Sequence, residues 1–200
     1  MTAVAHAYED KRLRLIATEA GDGRILDIGH AQCPNTYLDG AGSTGFDLNV
    51  AENCDYAEQI AGDIREIKSI LHGREFDCVI AAEFIEHVEN PYAVLRDLRA
   101  LIAPGGRLIL STPNPVAFPT LLCEWTMSRK FFYTTDHTYY FSPRWMTRVL
   151  EGCGYNVEKI RGVGLWPFGF IPAPAGWSYQ VMYVASPQAA SESSAALAST

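Results

Sequence analysis

The sequence predicts a doubly wound α/β domain: a seven-stranded, mostly parallel sheet with an antiparallel last strand. Three observations carry this. Short apolar runs alternate with segments of helical periodicity from residue 24 to residue 112. Glycine and proline clusters punctuate each change of period. The last apolar run, 178–185, returns after a helix-free stretch, which favours antiparallel pairing.

Two hundred residues suit one domain with a sizeable core. We expect that domain over 1–185, with a substrate-cover insertion at 115–141 and a disordered Ala/Ser-rich tail over 186–200. A formal charge of -7 argues against a nucleic-acid or anionic-membrane partner, both of which need basic surfaces. No apolar run approaches the ~20 residues of a membrane span. The five cysteines are odd in number, without a CxxC pair, behind an N-terminus unlike a signal peptide. Reduced thiols and a cytoplasmic location are the expectation. His30 and Cys33 share a metal-like spacing but lack a second pair, so they read as loop residues.

In chain order, residues 4–20 form a helix with Leu13, Ile16, Ala17 and Ala20 on one face. It packs on the sheet, or serves as a lid that brings His6 or Tyr8 to a substrate. Residues 24–28 are the first strand, closing in Asp27-Ile28-Gly29. Gly29 is suited to a tight turn and to close approach of a ligand. Pro34 is placed to open a short helix over 34–38. Ser43-Thr44-Gly45-Phe46-Asp47 reads as the second strand, and Asp47 lies 18 positions after Gly29. An acid at about that distance binds ribose hydroxyls in nucleotide-binding α/β folds.

A third strand over 56–61 leads to Asp63, which caps the next helix or accepts from an adenine amino group beside Ile64. The continuous run 76–82 reads as a buried strand. Asn90-Pro91 opens a helix whose apolar face is Val94, Leu95, Leu98, Leu101 and Ile102. Residues 107–112 are the fifth strand. Aromatic rings then concentrate up to Phe141, as befits a substrate cover or rings filling a core beneath a loop. A short helix near 120–127, a helix opened by Ser142-Pro143 and a strand over 155–161 precede the last strand.

This order, with Ile25-Leu26-Asp27-Ile28-Gly29 and the long run from Phe76 through Glu83-Phe84-Ile85-Glu86-His87-Val88-Glu89-Asn90-Pro91 to Pro104-Gly105-Gly106, resembles the class I S-adenosylmethionine-dependent methyltransferases. It looks like their small-molecule branch, of Rossmann-like fold, which includes quinone, sterol and sugar methyltransferases. The resemblance implies S-adenosylmethionine as cofactor. Asp27 and Gly29, with His30 beside them, would hold its methionine end. Asp47 and Leu48 would meet the ribose, and Asp63 and Ile64 the adenine. Ala82, Glu83 and Phe84 would line the sulfonium side. The family shows Asp-x-Gly-x-Gly-x-Gly, where this chain has Ala31 and Cys33 at the second and third glycines.

The implied activity is methylation of a small hydroxylated acceptor, a sugar or another ring-containing molecule. A hydroxyl nucleophile gains from a general base. His137 is the candidate, or else a loop histidine packed among aromatics, while Tyr133, Tyr139 and Tyr140 would face the acceptor. Glu86 and His87 could ligate a metal only with a third residue that the sequence does not single out, so none is expected. The altered glycine loop leaves an alternative, a non-catalytic protein of this fold acting as a binding or partner subunit. A nicotinamide-dependent oxidoreductase is disfavoured by the same missing glycines and by the Glu86-to-Pro91 stretch.

Overall fold

The computed structural model describes residues 3–126, 137–165 and 171–189. An N-terminal helix, α1 (Ala3–Ala20), leads into β1 (Ile25–Ile28), β2 (Ser43–Asp47) and β3 (Glu58–Ala61). There follow α2 (Ile67–Ile70), β4 (Phe76–Ala82), α3 (Pro91–Arg99) and β5 (Ile102–Pro113). Then come α4 (Phe118–Trp125), α5 (Pro143–Gly152), β6 (Tyr155–Gly162) and β7 (Gln180–Pro187).

The seven strands make one sheet in the order β3-β2-β1-β4-β5-β7-β6. All neighbours through β5 are parallel, and β7 inserts antiparallel between β5 and β6. The chain runs outward on both sides of β1 and β4, so a crevice opens at the carboxyl ends of these two strands.

Strand side chains alternate between two cores, as the period of two requires. Leu26, Ile28, Val79, Ala81, Leu108 and Leu110 pack with α3 and α5 through Leu95, Leu98, Met146 and Leu150. Ile25, Cys78, Ile80 and Ile109 face the other way, onto Ile16 and Ala20 of α1. Burying a Leu or Ile side chain is worth ~1.5–3 kcal/mol, so both layers hold the sheet rigid beneath the crevice.

Three sequence expectations shift. No helix forms over 34–38; the turn after Gly29 is a 3-10 turn, His30–Gln32. Asn35 explains this, since its side chain donates to Leu13 O at 3.0 Å and its backbone N–H donates to the Tyr56 hydroxyl at 2.9 Å. The segment is thus pinned between α1 and the approach to β3, and α1 covers that face of the sheet. Second, Leu101 and Ile102 leave the helix: Phe76 N donates to Leu101 O at 2.8 Å, and strand pairing begins at Ile102. Third, Ser186 and Pro187 belong to β7, in register with Asn156 and Tyr155, while residues 190–200 lie outside the described residues.

Among the described residues no helix is long and apolar enough to cross a membrane.

Candidate functional site

The site begins where β1 ends. Gly29 turns the chain at φ 76, a left-handed conformation that L side chains resist. Space adds a second constraint, since a β-carbon there would come 2.7 Å from Phe84 Cδ2. Asp27, two residues earlier, is buried on the α1 side of the sheet. Burial pushes its carboxyl up to about 6, although the Tyr56 hydroxyl, His30 and Arg12 all favour the ionised form.

At the end of β2, Asp47 Oδ2 accepts from Ala31 N at 3.0 Å, and Oδ1 accepts from Asn49 N at 3.3 Å. The main chain at the substituted second glycine is therefore tied to the acid that sequence spacing singled out. Cys33, at the third, is half-buried, and its thiol is pushed up to about 11 by burial, so it packs as a neutral group. Asp63 caps its turn by accepting from Arg65 N at 2.9 Å. The Arg65 side chain also donates to it, which holds the carboxyl down at about 2.

A cavity of about 480 Å³ opens between these elements. Asp47, Leu48, Asp63, Ile64 and Phe84 line it, together with Ile28, Phe46, His87 and Val94. An apolar slot with carboxylates at its ends suits a nucleoside. Asp27, Gly29, His30, Ala82 and Glu83 do not line this cavity, while the Phe84 ring that does line it lies against Gly29.

Two of these differ from expectation. His30 turns into the sheet: its Nε2 sits 2.9 Å from Gln59 Oε1, and its ring lies over Gly45, where a β-carbon would come 2.4 Å from Nε2. Glu83 has φ 51, and it is the non-glycine residue of positive φ among the described residues. Ser111 Oγ donates to its Oε1 at 2.9 Å and Gln180 Nε2 to its Oε2 at 2.8 Å. Burial raises its carboxyl above the usual range. Both side chains are held by the sheet rather than aimed into the cavity.

At the mouth, the segment carrying His137 docks on the turn after β4, where Thr138 N and Tyr139 N both donate to Glu86 O. The His137 ring meets His87 edge-on at 4.6 Å and Tyr140 at 5.5 Å. Glu86, His87 and His137 bring ligand atoms within 4.8 Å of one another, a set able to hold a divalent cation. His137, read from the sequence as a base, is thus also the third ligand that Glu86 and His87 lacked. Tyr140 stays beside His137, whereas Tyr139 donates to Glu89 O at 3.0 Å and stacks on Phe141. Tyr133 lies outside the described residues.

Sequence reasoning missed Arg12. It is buried, its Nε lacks a hydrogen-bond partner, and its charge acts on Asp27, Glu83 and Tyr8. The available signal was its place on α1, four residues from both Tyr8 and Ile16, which are buried on the same face. An arginine inside an apolar stripe calls for an anionic partner, and Glu9 supplies one, with its Oε1 3.0 Å from Arg12 Nη2.

The family model described as a methyltransferase domain matches residues 2–160. The ubiquinone biosynthesis O-methyltransferase of Aeromonas salmonicida is 30% identical over 184 residues, covering 81% of this chain and 76% of that one. A S-adenosylmethionine-dependent methyltransferase of Thermotoga maritima, described as a possible histamine N-methyltransferase, superposes with TM-score 0.71 at 16% identity, over 92% of this chain and 90% of that one. A glycopeptide N-methyltransferase solved with S-adenosylmethionine superposes with TM-score 0.61 at 17% identity, over 89% and 93% of the two chains. With the glycine turn, the acid of β2 and the slot between them in place, the chain belongs to the methyltransferase family and is an S-adenosylmethionine-dependent enzyme.

Proposed function

We propose that this enzyme methylates a hydroxyl group of a small, ring-containing acceptor. The observation that carries the reading is His137, set against His87 and Tyr140 at the mouth of the nucleoside cavity. The relative's name, an O-methyltransferase of ubiquinone biosynthesis, favours a ring-containing hydroxylated acceptor. A net charge of -7 favours a small molecule over a nucleic acid. Free thiols at Cys33, Cys54, Cys78 and Cys153 accord with a cytoplasmic location.

In this reading the cofactor supplies a methyl group already activated on sulfur, and the protein aligns the reactants. Asp47 accepts from the ribose hydroxyls, and Leu48 and Ile64 cover the flat faces of the nucleoside. Asp63 accepts from the adenine amino group once Arg65 yields part of its carboxylate. Asp27 pairs with the ammonium and Arg12 with the carboxylate of the methionine end. His137 would take the proton of the acceptor hydroxyl and so leave its oxygen free to accept the methyl group that the cofactor would supply. Tyr140 stacks on the acceptor.

The Glu86–His87–His137 set supports a second reading, in which these three residues would hold a divalent cation, and the ion would supply Lewis-acid activation of the acceptor hydroxyl. Methyl transfer to a phenol, followed with and without a chelator, separates the two. His137→Ala should lower kcat by ~10²–10⁴ with S-adenosylhomocysteine affinity unchanged. A chelator without effect excludes the metal; equal loss of turnover and cofactor affinity in His137→Ala excludes the base.

A further inference from the structure

Asp27 is reached by a residue from a distant part of the chain. The Tyr56 hydroxyl donates to Asp27 Oδ2 at 2.6 Å, and accepts from Asn35 N at 2.9 Å. The second bond takes a lone pair of the hydroxyl and so directs its proton at Asp27. The ring is fixed as well. It stacks on His30 with centroids 5.6 Å apart and 30° between planes, and His30 is bonded to Gln59. Gln59 in turn bonds the main chain of Ala51 in both directions, at 2.7 and 3.2 Å. A continuous series of contacts thus runs from β3 to one oxygen of a buried carboxyl, and sets the direction in which the other oxygen points.

We propose that Tyr56 is a positioning residue for the cofactor: its hydroxyl turns the Asp27 carboxylate toward the ammonium of the methionine end. This rests on the role given to Asp27 above. The position needs such a device because Asp27 is buried, and a buried carboxylate without a donor takes up a proton. The groups facing it are Arg12 from α1, His30 and Cys33 from the loop after β1, Asp47 from β2, Tyr56, and Cys78 from β4. Of these, Tyr56 makes the hydrogen bond. Its donated proton stabilises the charged form, which an ammonium requires.

The test is Tyr56→Phe, which keeps the ring and its stacking and removes one oxygen. Calorimetric titration from pH 5.5 to pH 8.5 would use S-adenosylhomocysteine, which has the amino-acid end, and adenosine, which lacks it. In the wild type, homocysteine-ligand affinity falls as pH drops through about 6, where Asp27 protonates. In Tyr56→Phe the carboxyl loses a donor, its pKa rises, and the midpoint moves up by roughly one unit. Affinity for S-adenosylhomocysteine is then about fivefold weaker at pH 6 and within about twofold of wild type at pH 8.5. Adenosine affinity stays unchanged at every pH. An unmoved midpoint, or an equal loss for adenosine, overturns the role of Tyr56 alone. A wild type that binds adenosine but not S-adenosylhomocysteine overturns the role through Asp27. A wild type that binds neither overturns the cofactor reading, and this role with it.

Discussion

The ring of Phe84 rests on the backbone of Gly29, so close that a β-carbon on residue 29 would stand 2.7 Å from Cδ2. Phe84 also lines the nucleoside cavity. Its contact makes glycine a requirement at position 29 that does not extend to Ala31 and Cys33. Gly29 alone of the three combines a left-handed φ with a ring against its α-carbon. Gly29→Ala should cost ~1–2 kcal/mol from backbone strain, with more if Phe84 fails to move. Thermal unfolding would register the loss, and calorimetry with S-adenosylhomocysteine should show weaker binding.

Asp47 has a double task, holding Ala31 N and facing the cavity. Asp47→Ala should remove charge-assisted hydrogen bonds of ~1.5–3 kcal/mol each, so cofactor affinity should fall at least about tenfold. An unchanged dissociation constant would take Asp47 out of the site. Asp47→Asn should recover part of the fold's stability through Ala31 but little of the affinity.

Asp27 sets stability against function. Its folded pKa is raised to about 6 from 3.8, so the native state binds more protons than the unfolded one between these values. The favourable contribution of its protonated form is full below the unfolded value and is lost as pH rises through about 6. Near neutral pH the buried charge therefore opposes folding by on the order of 2–3 kcal/mol. Asp27→Asn should raise the unfolding midpoint at pH 8 more than at pH 4.5, while abolishing tight binding of S-adenosylhomocysteine. A variant equally stabilised at both pH values would remove the charge as the cause.

Glu19 ties α1 to the far edge of the sheet. This buried carboxylate is 2.8 Å from Lys159 Nζ and 3.1 Å from Arg161 Nη1, both half-exposed on β6. Removing it leaves two cations that water still reaches, so the loss should be ~1–3 kcal/mol rather than the larger cost of a fully buried pair. Because α1 also carries Arg12, Glu19→Ala should raise the KM for the cofactor. Denaturant unfolding and initial rates on the same preparation would check both. A variant destabilised without any change in KM would show that Arg12 is positioned independently of this clamp.

Several features were legible because they are local. The alternation of apolar runs predicted the strands. Asn90-Pro91 announced α3, where the Asn90 side chain does accept from Ala93 N at 3.0 Å. Asp63 was readable as a cap for the same reason. The helix expected at Pro34 failed because contacts from Leu13 and Tyr56 hold Asn35, and neither is near it in sequence.

The sequence by itself determined the α/β order, the strand that ends in Asp27 and Gly29, and the acid that closes β2. Periodicity, turn residues and spacing along one chain suffice for these. Only the tertiary structure decided which groups share a site. His137 joins Glu86 and His87 across 50 residues, Tyr56 reaches Asp27 across 29, and Arg12 comes from a helix that precedes the sheet. The same packing turned His30 and Glu83 into the sheet. Such meetings depend on how the two layers bury their apolar faces against the strands, a sum over distant contacts that no local pattern records.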